Sequence, residues 1–177
     1  MLRWMGHDAV AVLDGGFAAW NASGMPVSSD AASPDAGSFS GTADDAMTIS
    51  GDEIARRLSS DDGYILVDAR DARRFVGEIE PIDPVAGHVP GALNLPFALA
   101  VNEDGTWRGA GDLAALWASQ VPEQKDREWA VMCGSGVTAC HLALSARIAG
   151  RSEPRLYVGS WSGWLRNPDR PVATGGD

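Results

Sequence analysis

From residue 50 onward, short apolar runs alternate with helical segments, and this alternation constrains the fold more than any other feature of the sequence. Each run has four or five residues, which is short for a helix and typical of a strand buried on both faces. Strands that alternate with helices build a parallel sheet flanked by helices on both faces, so an α/β fold is predicted. The predicted strands are 64–68, 92–95, 129–133 and 155–158, and the predicted helices are 50–58, 112–120, 138–149 and 161–165.

Two local patterns refine this prediction. The first helix is expected to begin at a capping box, in which Ser50 and Glu53 each bond the other's backbone N–H, and a long loop is expected over 69–89. Ligands of parallel sheets bind beyond the carboxyl ends of the strands. Asp68 and Cys133 end two predicted strands, so we expect them on one rim of the sheet.

Cys133 is the strongest candidate for a reactive residue. It follows the apolar run 129–132 and precedes 134–139, where two glycines lead directly into a helix. The N–H groups of such a turn and the helix N-terminus stabilise negative charge, and therefore favour thiolate over thiol. The alternative interpretation is a buried structural cysteine before a glycine turn. The two glycines and the immediate helix start favour the reactive thiolate.

Charge and cysteine content exclude several classes of function. The chain has 24 acidic and 14 basic residues and a net charge of −10, so nucleic acid and anionic membranes are not expected as partners. Its two cysteines suit a reducing compartment. No apolar run reaches the ~18 residues that span a bilayer, and no secretory signal is recognised, so a cytoplasmic location is expected. Cys133, Cys140 and His141 lack zinc-ligand spacing, and no metal or other cofactor is expected.

The two ends of the sequence resemble each other at an offset of 144 residues. The matches are Arg3 with Arg147, Gly6 with Gly150, Gly15 with Gly159, Phe17 with Trp161, Trp20 with Trp164 and, one residue further on, Pro26 with Pro171. Residues 10–13 and 155–158 then correspond as buried strands, each followed by a glycine turn and a short aromatic helix. We therefore expect 1–29 to end a first repeat, 30–46 to be a flexible linker rich in Ser, Ala, Gly and Asp, and 47–177 to be a complete domain.

Four motifs together indicate a known family. They are Leu66-Val67-Asp68-Ala69-Arg70, Gly87-His88-Val89-Pro90-Gly91-Ala92, Cys133-Gly134-Ser135-Gly136-Val137-Thr138-Ala139 and Gly159-Ser160-Trp161. With these motifs the chain resembles the rhodanese family of sulfurtransferases, and residues 13–20 resemble the end of that family's inactive first domain. The resemblance implies a tandem-domain 3-mercaptopyruvate or thiosulfate sulfurtransferase that lacks most of its first half. A strand at 10–13 without neighbours is expected to leave the N-terminal segment poorly anchored or to drive association.

The resemblance implies covalent catalysis without a cofactor. Cys133 would take a sulfane sulfur from a small anionic donor, become a persulfide, and pass the sulfur to a thiophilic acceptor such as cyanide or a thiol. Backbone N–H groups would bind the charge of the persulfide. The residues implied in this cradle are Gly134, Ser135, Gly136, Val137 and Thr138.

Other residues would support this reaction. Arg74 matches the family's substrate-binding arginine, and a guanidinium suits a sulfonate or carboxylate, with Arg73 as the fallback. Asp68 is expected to order its loop by bonding backbone amides rather than to transfer protons. The family motif gives His88 a loop-shaping role, and Cys140 is expected to pack inside.

The donor and two rival functions stay open. Gly134 and Ser135 follow the cysteine as in the 3-mercaptopyruvate enzymes, but the second arginine that many of those enzymes carry is Asp83 here, so thiosulfate stays a candidate. A cysteine phosphatase would need an arginine at Ala139 to clamp phosphate, which disfavours that class. The third interpretation is a non-enzymatic persulfide carrier or binding module.

Overall fold

A four-stranded parallel sheet lies at the centre of the computed structural model, which describes residues 1–60, 64–122 and 128–176. The strands are β1 (Ile65–Asp68), β2 (Leu93–Asn94), β3 (Trp129–Met132) and β4 (Arg155–Leu156), in the order β2-β1-β3-β4. Neighbouring strands pair in parallel throughout. The predicted α/β fold is confirmed, and each strand is one or two residues shorter than predicted.

Helices flank the sheet at the predicted places, with one addition. The α-helices are α1 (Gly16–Ala22), α2 (Gly51–Leu58), α3 (Ala72–Phe75), α4 (Ala110–Gln120), α5 (Val137–Ile148) and α6 (Ser160–Trp164), and 3-10 turns cover Arg3–Met5, Asp45–Met47 and Phe97–Ala100. Helix α3 lies inside the segment 69–89 that was predicted as a loop. Asp71 explains it, because its side chain accepts from the Arg73 N–H at 2.9 Å and caps the helix.

The start of α2 matches half of the predicted capping box. The Ser50 hydroxyl accepts from the Glu53 N–H at 3.2 Å, as predicted. The Glu53 carboxylate instead bonds Arg155 in β4, with 2.7 Å between Oε1 and Nη1. This ion pair fastens α2 to the edge of the sheet, so a tertiary contact replaces the local one.

Successive residues of the strands enter two separate cores. Leu66 packs on one face of the sheet with Ala130, Met132 and the side chains of α2 and α6. Val67 packs on the other face with residues of α4 and α5. This alternation follows from the pleat of the strand, and it buries all four residues of β1.

Residues 10–13 form no strand, and the prediction of one there is wrong. The segment is exposed, with Val12 at 67% and Leu13 at 54%. Within the described chain no strand pairs with it, and an isolated apolar run without a neighbouring ladder does not form a strand. The next residue, Asp14, contacts the domain, because its Oδ1 accepts the Trp107 N–H at 2.9 Å.

Helices α1 and α6 make hydrogen bonds of the same type. Trp20, in α1, donates from its indole N–H to the Pro26 carbonyl at 3.0 Å. Trp164, in α6, donates to the Pro171 carbonyl at 2.9 Å. These tryptophans and prolines are the pairs matched by the offset in the sequence. Among the described residues, no helix is long and apolar enough to cross a membrane.

Candidate active site

The carboxyl ends of β1 and β3 meet on one rim of the sheet, as predicted. Asp68 pairs with Met132 in the register of these strands, and the Ala69 N–H donates to the Met132 carbonyl at 2.8 Å. Cys133 follows Met132 directly. The thiol therefore lies beside the end of β1, at the entrance to α5.

Cys133 is 2% exposed, and its sulfur accepts the Gly136 N–H at 3.1 Å. Burial raises the pKa of the Cys133 thiol, but hydrogen bonds to the sulfur outweigh burial and lower that pKa below the ordinary thiol value. The donors are the Thr138 hydroxyl and the backbone N–H groups of Ala139, Ser135 and Gly136. The loop thus stabilises a thiolate away from water.

The groups that lower the pKa of Cys133 coincide in part with the cradle implied by the sequence. Gly136 belongs to that set and donates to the sulfur at 3.1 Å, and Ser135 and Thr138, also in the set, contribute to the lowered pKa of Cys133. The backbone N–H of Ala139, which lies outside the implied cradle, also contributes to the lowered pKa of Cys133. Gly134 and Val137 lie on the same loop.

Gly136 is the N-cap of α5 and has a φ of +87°, where residues with a Cβ are strained. A Cβ at this position would lie 2.7 Å from the Val158 carbonyl oxygen. A glycine is therefore required for the loop to turn back under the sulfur. This requirement explains the second glycine of the loop motif.

The turn after β4 holds the peptide groups of the cysteine loop. The Ser160 hydroxyl accepts from the Cys133 N–H at 3.1 Å and donates to the Tyr157 carbonyl at 2.9 Å. The Trp161 N–H donates to the Cys133 carbonyl at 2.9 Å. Ser160 has a φ of +50°, uncommon for a residue with a side chain, and this conformation is held by both hydroxyl bonds.

Arg74 lies at the site, at the end of α3. A Cβ on Gly134, the residue after the cysteine, would be 3.6 Å from Arg74 Nη1. The rest of the guanidinium is engaged, because Nη2 donates to Glu80 Oε1 at 2.6 Å and lies 3.5 Å from Asp83 Oδ2. Arg73, the fallback, is exposed and pairs with Glu78 at 3.0 Å.

Asp68 forms a buried ion pair with Arg70. Its carboxylate accepts from Arg70 Nη2 at 2.7 Å and from the Arg70 backbone N–H at 2.9 Å. Arg70 also donates to the Gly87 carbonyl at 2.8 Å, and its guanidinium lies 4.7 Å from the Trp161 ring centroid. Asp68 therefore orders the loops around the site through Arg70, in line with the expected structural role.

His88 contacts neighbouring segments through both its side chain and its backbone. Its Nδ1 lies 2.8 Å from the Phe75 carbonyl oxygen and donates to it, since a carbonyl can only accept. The ring stacks on Phe75 with 3.8 Å between centroids. The backbone of His88 pairs with Ala173 in an antiparallel bridge.

Cys140 is exposed, so the prediction that it packs inside is wrong. Val137, Cys140 and Arg147 share the outward face of α5, because helix positions three and seven residues apart lie on one side. Neighbouring atoms still desolvate its sulfur. This desolvation raises the pKa of Cys140, and the nearby Cys133 adds to the shift.

Two residues of the site, Glu80 and Ser162, lie outside the recognised motifs and contact it from distant parts of the sequence. Ser160 stands in a recognised motif, but its bond to the cysteine loop is not evident from that motif. The directions of the Ser160 and Ser162 hydroxyls depend on the backbone conformation of the turn after β4, which a sequence motif does not specify. Among the described residues, no cluster of His, Cys, Asp and Glu is arranged to hold a metal.

Comparison with known proteins identifies related sequences. The family model described as "Rhodanese-like domain" matches residues 50–167. A protein of Pseudomonas aeruginosa named "Probable 3-mercaptopyruvate sulfurtransferase" is 42% identical over 99% of this chain and 62% of its own length. "Thiosulfate sulfurtransferase" of Rattus norvegicus is 34% identical over 99% of this chain and 60% of its own length. The chain thus spans about three fifths of the length of these two curated relatives.

A solved structure has the same fold. An EanB variant in complex with ergothioneine superposes with a TM-score of 0.87 at 24% identity. The match covers 99% of this chain and 44% of that chain. At this identity the likeness extends to the fold.

Proposed function

This chain belongs to the family of rhodanese-like domains, and we propose that it is a sulfurtransferase in which Cys133 carries the transferred sulfur. The observation that supports this proposal most directly is the environment of the thiol. Hydrogen bonds from the loop lower the pKa of Cys133 although the residue is buried. A dry anion site of this kind suits a nucleophile that becomes a persulfide anion and stays protected from water.

With thiosulfate as donor, the Cys133 thiolate attacks the outer, sulfane sulfur. The new S–S bond forms as the bond between the two donor sulfurs breaks, and sulfite leaves with the electron pair of that bond. Cys133 is left as a persulfide anion. The N–H groups that stabilise the thiolate are placed to stabilise this anion as well.

With 3-mercaptopyruvate as donor, the same thiolate attacks the thiol sulfur. The C–S bond breaks, its electrons pass to the carbon as an enolate, and the proton of the donor thiol ends on that carbon, which gives pyruvate. In either case a thiophilic acceptor then attacks the outer sulfur. Cyanide would leave as thiocyanate and Cys133 would return to the thiolate.

Arg74 is the proposed contact for the anionic end of the donor. Its Nη1 is the guanidinium nitrogen nearest Gly134, and no acceptor for Nη1 is recorded among the described residues. An N–H group of Nη1 beside the cysteine loop can donate to an oxygen of a carboxylate or sulfonate. Small anionic donors that carry a transferable sulfur fit this arrangement.

We further propose that residues 1–29 correspond to the end of another rhodanese-like unit and that 47–177 is the catalytic unit. The Trp20–Pro26 and Trp164–Pro171 hydrogen bonds support this correspondence. The 42% identity to the Pseudomonas aeruginosa protein extends over residues outside the matched family model as well.

The test is sulfur loading resolved by residue. The protein is incubated with thiosulfate or 3-mercaptopyruvate, freed of donor and analysed by mass spectrometry of its peptides. We expect one added sulfur atom on the Cys133 peptide, which is lost when cyanide is added and thiocyanate forms. Cys133→Ser should abolish loading, whereas Cys140→Ser should retain it. Loading of Cys140 alone, or none with either donor, would refute the proposal.

A further inference from the structure

The buried charges beside the cysteine loop do not balance. Asp68 pairs with Arg70 at 2.7 Å, and Glu80 pairs with Arg74 at 2.6 Å. Asp83 is a third carboxylate, 3.5 Å from Arg74 Nη2 and with its side chain 8% exposed. Two guanidinium groups therefore face three carboxylates, and the cluster has a net charge of one negative before the Cys133 thiolate is counted.

Glu80 is the structural partner of the arginines. Its Oε2 lies 3.4 Å from Arg70 Nη1, and its Oε1 accepts the backbone N–H groups of Ile82 and Asp83. Burial raises the pKa of Glu80, but the bonds from Arg74 and from these N–H groups lower it below the ordinary value. Glu80 is thus held ionised and takes the shorter contact with Arg74, at 2.6 Å, whereas Asp83 shares that arginine at 3.5 Å and has no guanidinium group of its own among the described residues.

Asp83 is also joined to the cysteine loop itself. Its Oδ1 accepts the Ser162 hydroxyl at 2.7 Å. The Ser162 N–H donates to the Gly134 carbonyl at 3.0 Å. The negative charge of Asp83 therefore lies one hydroxyl group away from the loop that binds the sulfur, and it contacts the arginine proposed to bind the donor.

We propose that Asp83 determines donor specificity, because its charge makes the site disfavour a dianionic sulfur donor relative to a monoanionic one. The inference rests on the proposed sulfurtransferase function. The repulsion between a fixed charge and a ligand is proportional to the ligand charge, so a dianion experiences twice the penalty of a monoanion at the same position. Burial of the cluster limits screening by salt and keeps the difference large. Thiosulfate is a dianion at neutral pH and 3-mercaptopyruvate a monoanion, so Asp83 selects against thiosulfate.

The experiment compares Asp83→Asn with the wild type. We expect kcat/KM for sulfur loading to rise about tenfold with thiosulfate and about threefold with 3-mercaptopyruvate, as expected for removing one nearby, partly buried charge. The quantity compared between variant and wild type is the ratio of kcat/KM for thiosulfate to kcat/KM for 3-mercaptopyruvate. An unchanged ratio, or a shift towards 3-mercaptopyruvate, would overturn the inference.

Two variants separate charge from other effects. Glu78→Gln also removes one negative charge, but Glu78 is exposed and pairs with exposed Arg73, so the donor ratio should not move. Ser162→Ala removes the hydroxyl between Asp83 and Gly134 without changing the charge, so any loss should affect both donors equally. A ratio that shifts equally in Asp83→Asn and either control would also overturn the inference.

A second readout does not require sulfur transfer. Sulfate, a dianion, and pyruvate, a monoanion, are compared for protection of Cys133 from iodoacetamide. In Asp83→Asn, protection by sulfate should improve relative to pyruvate by about threefold or more. A wild type that takes no sulfur from either donor would refute the proposed function. The ratio of protection by sulfate to protection by pyruvate, compared between Asp83→Asn and the wild type, would still test the role of Asp83.

Discussion

At the scale of single residues, the two cysteines differ in how readily their thiols ionise. Hydrogen bonds lower the pKa of Cys133, whereas desolvation raises the pKa of Cys140. Solvent accessibility follows the opposite order, since Cys140 is exposed and Cys133 is buried. Reactivity towards a small electrophile follows the thiolate fraction, so its dependence on pH distinguishes the two better than its absolute rate.

We predict that alkylation of Cys133 by iodoacetamide reaches half its maximal rate at a lower pH than alkylation of Cys140. A thiol with a lowered pKa stays ionised as the pH falls, and one with a raised pKa does not. Rates are measured for each cysteine by mass spectrometry across a pH series. Thr138→Val should move the Cys133 midpoint upward, because it removes one donor to the sulfur. Coincident midpoints for the two cysteines would contradict the prediction.

Arg74 carries a second prediction at this scale. If Nη1 binds the donor, Arg74→Ala should raise KM about 10- to 100-fold for both donors, the range expected for a lost charge-assisted hydrogen bond. Arg73→Ala is the matched control, since it removes the adjacent, exposed guanidinium and should leave KM within about twofold. An equal effect of both substitutions would remove Arg74 from the binding site.

At the scale of elements, the join between β3 and α5 creates the anion site. The strand delivers Cys133 to the rim, and the helix begins four residues later at Val137 with its N-terminal amides near the sulfur. Gly136 makes this join possible, since its backbone has a positive φ and approaches the Val158 carbonyl closely.

Gly136→Ala should therefore cost both stability and reactivity. We expect about 3 kcal/mol of lost unfolding free energy, from strain and from the clash with Val158, and slower alkylation of Cys133. Gly150→Ala is the control, because Gly150 has a φ of +77° but no atom within 4 Å of its Cβ position. It should cost about 1–2 kcal/mol and leave Cys133 unaffected. Denaturant unfolding checks both values, and equal losses would show that the clash is unimportant.

At the scale of the whole molecule, the core and the N-terminal segment are largely separate. Every buried apolar residue lies at Ile49 or beyond. The contacts that residues 1–44 make with the rest include the Arg3–Glu153 ion pair at the surface and the bond from the Trp107 N–H to Asp14. Exposed ion pairs contribute about 0–1 kcal/mol, and a hydrogen bond about 1 kcal/mol.

We predict that residues 47–177 fold without the N-terminal segment. Unfolding by urea should be cooperative, with a free energy within about 2 kcal/mol of the full chain, because the deletion removes no core residue. Arg3→Ala in the full chain tests the contribution of the surface ion pair and should change stability by less than about 1 kcal/mol. A fragment without a cooperative transition would show that residues 1–46 are part of the folding unit.

Features that depend on local pattern can be predicted from the amino-acid sequence. Apolar runs of four or five residues between helical segments are enough to predict a parallel sheet, and the position of Cys133 between a strand and a helix is enough to predict an anion site. Capping by Ser50 is also local and was predicted. These features follow from backbone geometry within a few neighbouring residues, which propensity and periodicity describe well.

Features that depend on distant partners are seen in the folded molecule and not in the local pattern. Asp83 meets Ser162 across 79 residues of sequence, and this contact is set by how the loops pack on the sheet. Residues 10–13 are a second example. Their apolar pattern indicates a strand, but a strand forms only where the edge of another strand is available to pair with it. The outward position of Cys140 depends on which face of α5 covers the sheet. Hydrogen-bond partners and burial are properties of the packed molecule, so periodicity specifies the elements and packing decides the charge and the accessibility of the site.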